Sequence, residues 1–254
     1  MSDSLAVEVH GSGDPVILVH GLGGSSNVFS PQVGVLSRFY KCVRPDLPGS
    51  ARSPSSGAQS LLDFADQIAE IMDKEGGGKW HVIGHSLGTV VCLNLAVRRP
   101  DLVRSLGLVG PLLAPPEAAR TALRDRAAKA RLDGLVSIAD AIVQGGTSAE
   151  TKAHRPEVAA LVREMIMRQD AEGYAMTCEA LASVEAADVG QISVPTLLIT
   201  GDEDGTAPPR AVKALSDKIV GSSFQLLERC GHWTTFERSG EVSNALLSFL
   251  LSVD

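Results

Sequence analysis

The residue best placed to do chemistry in this chain is Ser86, inside the stretch WHVIGHSLGTVV at residues 80–91. A serine hydroxyl is a weak nucleophile at its free pKa. Acyl transfer needs it held rigidly beside a base and next to N–H donors that receive a developing oxyanion. Gly84-His85-Ser86-Leu87-Gly88 meets the geometric part of that need. Its two glycines remove side chains that would collide as a strand closes onto a helix, which leaves Ser86 exposed on a sharp, strained turn. The helix start then aims backbone N–H groups at the same point. Glycines around a serine also recur in ordinary loops, so the neighbourhood gives this match its weight. His81-Val82-Ile83 precedes the turn as a strand, and residues 87–98 follow as a nearly all-apolar helix, the pattern of a buried element.

The elements that must position such a site follow in order. Residues 5–9 alternate like an edge strand, and Gly11-Ser12-Gly13-Asp14-Pro15 turns the chain into an apolar interior strand at 16–19. That strand ends in His20-Gly21-Leu22-Gly23-Gly24, whose backbone can approach a ligand closely. The loop lacks the Gly-Lys-Ser/Thr ending and the glycine spacing of a phosphate cradle. A loop through Asn27 and Phe29, a short helix up to residue 39 and a strand at 41–44 lead to Pro45-Asp46-Leu47-Pro48-Gly49. Ser60, with Asp63 three residues on, caps a helix whose inner face is Leu61, Phe64, Ala65, Ile68, Ile71 and Met72; Gly76-Gly77-Gly78 stops it. Beyond the serine turn a strand at 106–109 gives way to a helical-only segment at 112–189. Strands at 196–200 and 223–227 then enclose a helix at 209–219, and a last helix carries Val242, Leu246 and Leu250. The alternation predicts an α/β fold, a mostly parallel sheet with helices on both faces. His20-Gly21, Asp46, Ser86, Asp204 and His232 each follow a strand, so they converge on one rim at the strands' carboxyl ends.

The chain resembles the α/β-hydrolases over nearly its whole length, through His20-Gly21, Asp46-Leu47-Pro48-Gly49, GHSLG at 84–88, GDED at 201–204 and CGHW at 230–233. The order Ser, Asp, His is that of this superfamily. More finely, VHGLGGS, GHSLG, GDEDGTAPP and CGHW are similar to the bacterial 3-oxoadipate enol-lactonase and small carboxylesterase group. The resemblance implies that Ser86 is the nucleophile, His232 the general base and then acid, and Asp204 the carboxylate that orients it. It also implies an oxyanion hole from the backbone N–H groups of Leu22 and Leu87, and substrate contacts from His20, Gly21, Met165 and Trp233. Of six histidines, His232 alone combines a flanking glycine, a strand-end loop and a late position. Asp202 and Glu203 compete for the acid role by residue type, and the family's spacing favours Asp204. The implied sheet has seven or eight strands, because the chain starts close to where the family's second strand falls. Residues 1–111 and 190–254 form the implied core, with 112–189 inserted as a helical lid that contributes little to the chemical step.

The expected reaction is hydrolysis of a small ester or lactone through an acyl-enzyme, with no metal or organic cofactor. Carbon–carbon bond hydrolysis and enol-lactone opening share the same triad, and a non-hydrolytic small-ligand receptor could keep it. A strongly anionic substrate would need a lid cation turned inward; Arg120, Arg124, Arg131, Arg163 and Arg168 are expected on solvated faces instead. The net charge of −7 and interspersed Lys and Arg argue against nucleic-acid or anionic-membrane partners. Cys42, Cys92, Cys178 and Cys230 are too scattered for a metal site and read as reduced thiols. With no basic or long apolar N-terminal segment, the expected location is the cytoplasm. The oligomeric state is left open.

Overall fold

Continuous apolar runs become interior strands in this protein because a strand covered on both faces has no polar side to present. The computed structural model describes residues 5–55, 60–76 and 78–253, so Gly77 of the expected helix stop lies outside the described residues. Among them are β1 (Val7–His10), β2 (Asp14–Val19), α1 (Ser30–Leu36), β3 (Tyr40–Pro45), α2 (Leu61–Glu75), β4 (Trp80–His85), α3 (Leu87–Arg98) and β5 (Val103–Val109). Five helices follow: α4 (Glu117–Asp133), α5 (Val136–Gly146), α6 (Ala149–His154), α7 (Pro156–Met167) and α8 (Ala171–Ser183). The sheet then resumes with β6 (Thr196–Gly201), α9 (Pro209–Ser216), β7 (Ser223–Leu227), α10 (Thr234–Glu237) and α11 (Ser239–Ser252).

The described strands form one seven-stranded sheet in the order β1, β3, β2, β4, β5, β6, β7. Only β1 is antiparallel, with Val7 opposite Pro45 and His10 opposite Cys42; every other pair is parallel. Although the turn at 11–15 leads from β1 into β2, β3 lies between them. The crossover through α1 sets β3 parallel to β2, and β1 pairs with its outer edge. Helices cover both sides, with α1 packed against α11 and α2 against α3. The Ser60–Asp63 capping box forms as expected: Ser60 Oγ accepts the Asp63 N–H at 3.2 Å and Asp63 Oδ2 accepts the Ser60 N–H at 2.8 Å. The loop expected through Asn27 and Phe29 contains a 3₁₀ turn at Ser26–Phe29, the short helix expected up to Phe39 ends at Leu36, and the helix expected to reach 219 ends at Ser216.

The central strand β4 runs straight into α3 through Ser86, and the contact between strand and helix leaves no space for side chains. A Cβ on Gly88 would lie 2.2 Å from the Val19 carbonyl oxygen, and one on Gly84 would lie 2.6 Å from the Gly88 carbonyl oxygen. Both obstacles are backbone, which cannot rotate away. Gly88→Ala is therefore expected to destabilise the fold by about 2 kcal/mol or more. Gly34→Ala, on the exposed side of α1 with nothing within 4 Å, should be neutral or stabilising by up to about 1 kcal/mol. Thermal and urea melts compare the two; equal stability for them would mean that the crossing at Ser86 has slack.

Candidate active site

Ser86 has φ +54° and ψ −122°, a conformation that a non-glycine residue adopts only under constraint. Its N–H is bound by the Val109 carbonyl at 2.9 Å, and its own carbonyl accepts the Thr89 N–H at 2.8 Å and the Thr89 hydroxyl at 2.6 Å. The turn is thus closed from both sides and the side chain projects beyond the sheet rim. His232, in the loop after β7, places Nε2 at 2.8 Å from Ser86 Oγ, and its Nδ1 lies 2.8 Å from Asp204 Oδ2. A carboxylate facing Nδ1 assigns the proton to that nitrogen. Nε2 is left as the acceptor for the serine hydroxyl.

Asp204 is held as firmly as the histidine it faces. Its Oδ1 accepts the N–H groups of Thr206 at 2.9 Å and Ala207 at 2.8 Å, and Thr200 Oγ1 lies 3.3 Å from Oδ2. Burial would push this carboxyl up, but the charge and hydrogen bond of His232 and the two backbone donors outweigh it and hold the pKa below the usual carboxylate value. Asp202 and Glu203 face elsewhere. Asp202 Oδ1 accepts the Cys230 N–H at 3.0 Å, and Glu203 Oε2 accepts the Ala149 N–H at 2.8 Å.

The glycine-rich loop after β2 passes over the serine. A Cβ on Gly21 would sit 2.8 Å from Ser86 Cβ, which explains the glycine there. Leu87 begins α3 directly after Ser86, and neither its N–H nor that of Leu22 donates to a protein acceptor among the described residues. His20 is buried and locks the loop: Nδ1 donates to the Gly21 carbonyl at 2.8 Å while Nε2 accepts the Leu47 N–H at 2.9 Å. Asp46 extends the lock, accepting the Ser26 N–H at 2.7 Å and Arg52 Nε at 2.7 Å. Met165 is buried on α7. Next to it, Ile166 and Tyr174 approach Gly23, where a Cβ would lie 3.2 Å from each. Trp233 is also buried, its ring 5.5 Å from that of His85.

Two features were not visible in the sequence. The first is Gln169, between α7 and α8, whose amide donates to the Gly24 carbonyl at 3.2 Å and accepts the Ala51 N–H at 3.0 Å. The second is the α5–α6 corner, which touches the loop carrying the histidine: the His232 N–H donates to the Gly146 carbonyl at 2.8 Å. The helical segment therefore supplies a group that holds the backbone of His232. A single backbone carbonyl has no sequence signature. Among the described residues there is no cluster of His, Cys, Asp and Glu arranged to hold a metal ion.

A family model described as the alpha/beta hydrolase fold matches residues 14–135. With the sheet order, this match gives the chain the α/β-hydrolase fold and supports a hydrolase of that fold. Its similarities extend over nearly the whole chain. A thermophilic esterase from Thermogutta terrifontis superposes with a TM-score of 0.94 at 28% identity, covering 98% of this chain and 93% of that one. The enol-lactonase from Burkholderia xenovorans LB400 gives 0.89 at 26%, covering 97% and 96%. The (E)-2-((N-methylformamido)methylene)succinate hydrolase of Acinetobacter baylyi is 25% identical over 252 residues, 94% of this chain and 91% of its own length.

His85 gives the site a measurable pH signature. Its Nε2–H donates to the His232 carbonyl at 2.9 Å, and Nδ1 is buried without a partner. Burial, reinforced by the charge of His232, pushes its pKa down from 6.5 to about 3. Burial also lowers that of His20, against the pull of the Gly21 carbonyl and Asp46. The unfolded chain therefore takes up protons below pH 6.5 that the folded chain refuses. Stability is complete above that value and falls as the pH drops. His85→Asn should flatten the dependence by up to about 1.4 kcal/mol per pH unit, the slope of one proton. Urea titrations between pH 6.5 and about 4.5, where most carboxylates remain ionised, read this slope. Identical slopes in the two proteins would remove His85 as its source.

Proposed function

We propose that the protein is a serine hydrolase that cleaves a small, uncharged ester or lactone through an acyl-enzyme. The observation that carries this reading is the continuous chain Ser86 Oγ, His232 Nε2, His232 Nδ1, Asp204 Oδ2, both links at 2.8 Å. Ser86 attacks the carbonyl carbon as His232 Nε2 takes its proton. Asp204, kept ionised, stabilises the imidazolium that forms. The N–H groups of Leu22 and Leu87 receive the oxyanion. Collapse expels the alcohol, which takes the proton from His232, and the same base then activates a water that releases the acid. Every step uses only protein groups and water. The leaving group decides the order of reactivity: aryl esters first, lactones next, and amides last, because the amine must be protonated before it can depart.

The reading of residues 112–189 as a lid over a core of 1–111 and 190–254 is part of the proposal, supported by the contacts of Gln169, Ile166 and Tyr174 with the Gly23–Gly24 loop. The choice of an uncharged substrate is supported by the engagement of the five lid arginines that are candidates for binding an anionic substrate. Arg131 pairs with Glu172 and Glu179, Arg163 with Asp140, Arg168 with Glu164 and Arg124 with Glu117, all at the surface, while Arg120 donates to the carbonyls of Ala182 and Val184. That differs from what the succinate name of the Acinetobacter relative implies for that enzyme. The four cysteines are free and buried, which suits a reducing cytoplasm.

Released acid is measured on a panel of short aryl esters, lactones and amides. Ser86→Ala should lose about 10⁴-fold or more in kcat with the fold intact. Asp204→Asn should lose about 10⁴-fold by favouring the wrong tautomer of His232. Asp202→Asn should stay within about threefold, because an amide oxygen can still accept the Cys230 N–H. Near wild-type turnover by the serine variant would end the mechanism, and a receptor would stall after about one equivalent of ester. Ile166→Ala should move the preference toward longer acyl chains by ~1–3 kcal/mol per methylene. Uniform loss on every ester would show that Ile166 does not line the acyl pocket.

A further inference from the structure

The backbone of His232 is held at both ends by groups from outside its own loop. Its carbonyl accepts from His85 Nε2 at 2.9 Å, and its N–H donates to the Gly146 carbonyl on the helical segment at 2.8 Å. The ring can reach Ser86 only while both holds keep the peptide in place. Gly146 is in turn the last residue of α5, and the chain beyond it is pinned by a buried carboxylate on the histidine's side. Glu237, in α10 and 1% exposed, accepts the Ser148 N–H at 2.7 Å and the Thr151 hydroxyl at 2.8 Å through Oε2. Its Oε1 accepts the N–H of Trp233, the residue after the histidine, at 3.2 Å. One side chain therefore bonds the segment just after Gly146 and the segment just after His232.

We propose that Glu237 is a positioning residue, the buried staple through which the helical segment keeps His232 in register with Ser86. This rests on the triad reading above. A side chain carrying a full charge in the interior is stable only when its oxygens are saturated by donors, and all three partners of Glu237 are donors. The charge thus requires the two segments to stay together. Close packing between them leaves the staple little play, since a Cβ on Gly231 would lie 2.6 Å from the Gly146 carbonyl oxygen and 2.8 Å from the Ser148 nitrogen. The same two elements are also joined where Glu150 meets the exposed Arg229 at 3.0 Å and the half-buried Arg238 at 3.1 Å. The Arg229 pair is screened by solvent, and neither pair bonds Trp233 or Ser148, the groups that follow His232 and Gly146.

Glu237→Gln separates the two kinds of link. The isosteric amide has one acceptor, so it can serve Ser148 and Thr151 or Trp233, but it cannot serve both. With 4-nitrophenyl acetate as the probe, folded Glu237→Gln should lose about 30-fold in kcat with KM within about threefold, because a displaced base slows chemistry without emptying the pocket. Thr151→Val, which removes one donor to the carboxylate, should lose a smaller factor of about 3 to 10 in kcat. Glu150→Gln should remain within about twofold. The downfield proton resonance of His232 Nδ1–H should shift or broaden in Glu237→Gln relative to the parent, which a change of overall stability alone would not cause. A folded Glu237→Gln with kcat within about twofold of the parent, or with the loss confined to KM, overturns the proposal. Should that variant not fold, an unchanged kcat in Thr151→Val overturns it. Ser86→Ala measured alongside keeps the two readings apart: activity surviving there removes the triad itself, whereas an inactive Ser86→Ala beside an active Glu237→Gln removes only the staple.

Discussion

Ser86 occupies a backbone conformation that costs on the order of 1–3 kcal/mol, and the structure around it is what keeps it there. β4 is hydrogen-bonded on both sides, to β2 and β5, so it cannot slide. α3 is buried along nearly its whole length and lies so close to the strand that only glycine fits at 84 and 88. The turn between them has one way to close, and it points the serine outward. Every other part of the site is arranged around that fixed hydroxyl: the glycine loop after β2 crosses above it, and the loops after β6 and β7 bring the carboxylate and imidazole to it.

Charges in this neighbourhood are few, buried and saturated. Asp204 and Asp46 each combine backbone N–H groups with one charged or chargeable side-chain partner, His232 and Arg52 respectively. Glu237 is satisfied by donors alone. His20 and His85 take the opposite course and remain neutral, since burial disfavours their protonated forms. The result is a rim where one histidine is set against a carboxylate and its neighbours add no competing positive charge.

The helical segment between β5 and β6 contacts the site's loops at two places. Its α7–α8 side grips the glycine loop through Gln169, and its α5–α6 corner grips the histidine loop through Gly146, Ser148 and Thr151. In the proposed reading, substrate choice and the positioning of the base share one structural unit. A change in the packing of these helices can reach the chemical step without touching a reacting group.

The sequence by itself determined the parts that depend on local patterning. Apolar runs at 16–19, 80–85 and 196–200 are long enough and uniform enough to specify interior parallel strands. Gly84 and Gly88 specify a serine turn, and the Ser60–Asp63 pair specifies a helix start, because each is a short-range steric or hydrogen-bonding rule. The strand ends then located Ser86, Asp204 and His232 on a common rim. α6 and α10 were invisible, being too short for a periodic stripe to appear. The place of β1 beside β3 was equally hidden, since an alternating strand pairs with whichever edge the crossovers leave open. Residue type left the three acids in GDED equal and only the resemblance's spacing favoured Asp204; in the tertiary structure it is Asp204 that faces the imidazole, while Asp202 and Glu203 point elsewhere. Only the tertiary structure decided that Glu237 and the Gly146 carbonyl support His232. That support joins Glu237 to Ser148 and Thr151, 89 and 86 residues away, and His232 to Gly146, 86 residues away (232 minus 146), and contacts of such separation leave no local pattern to read.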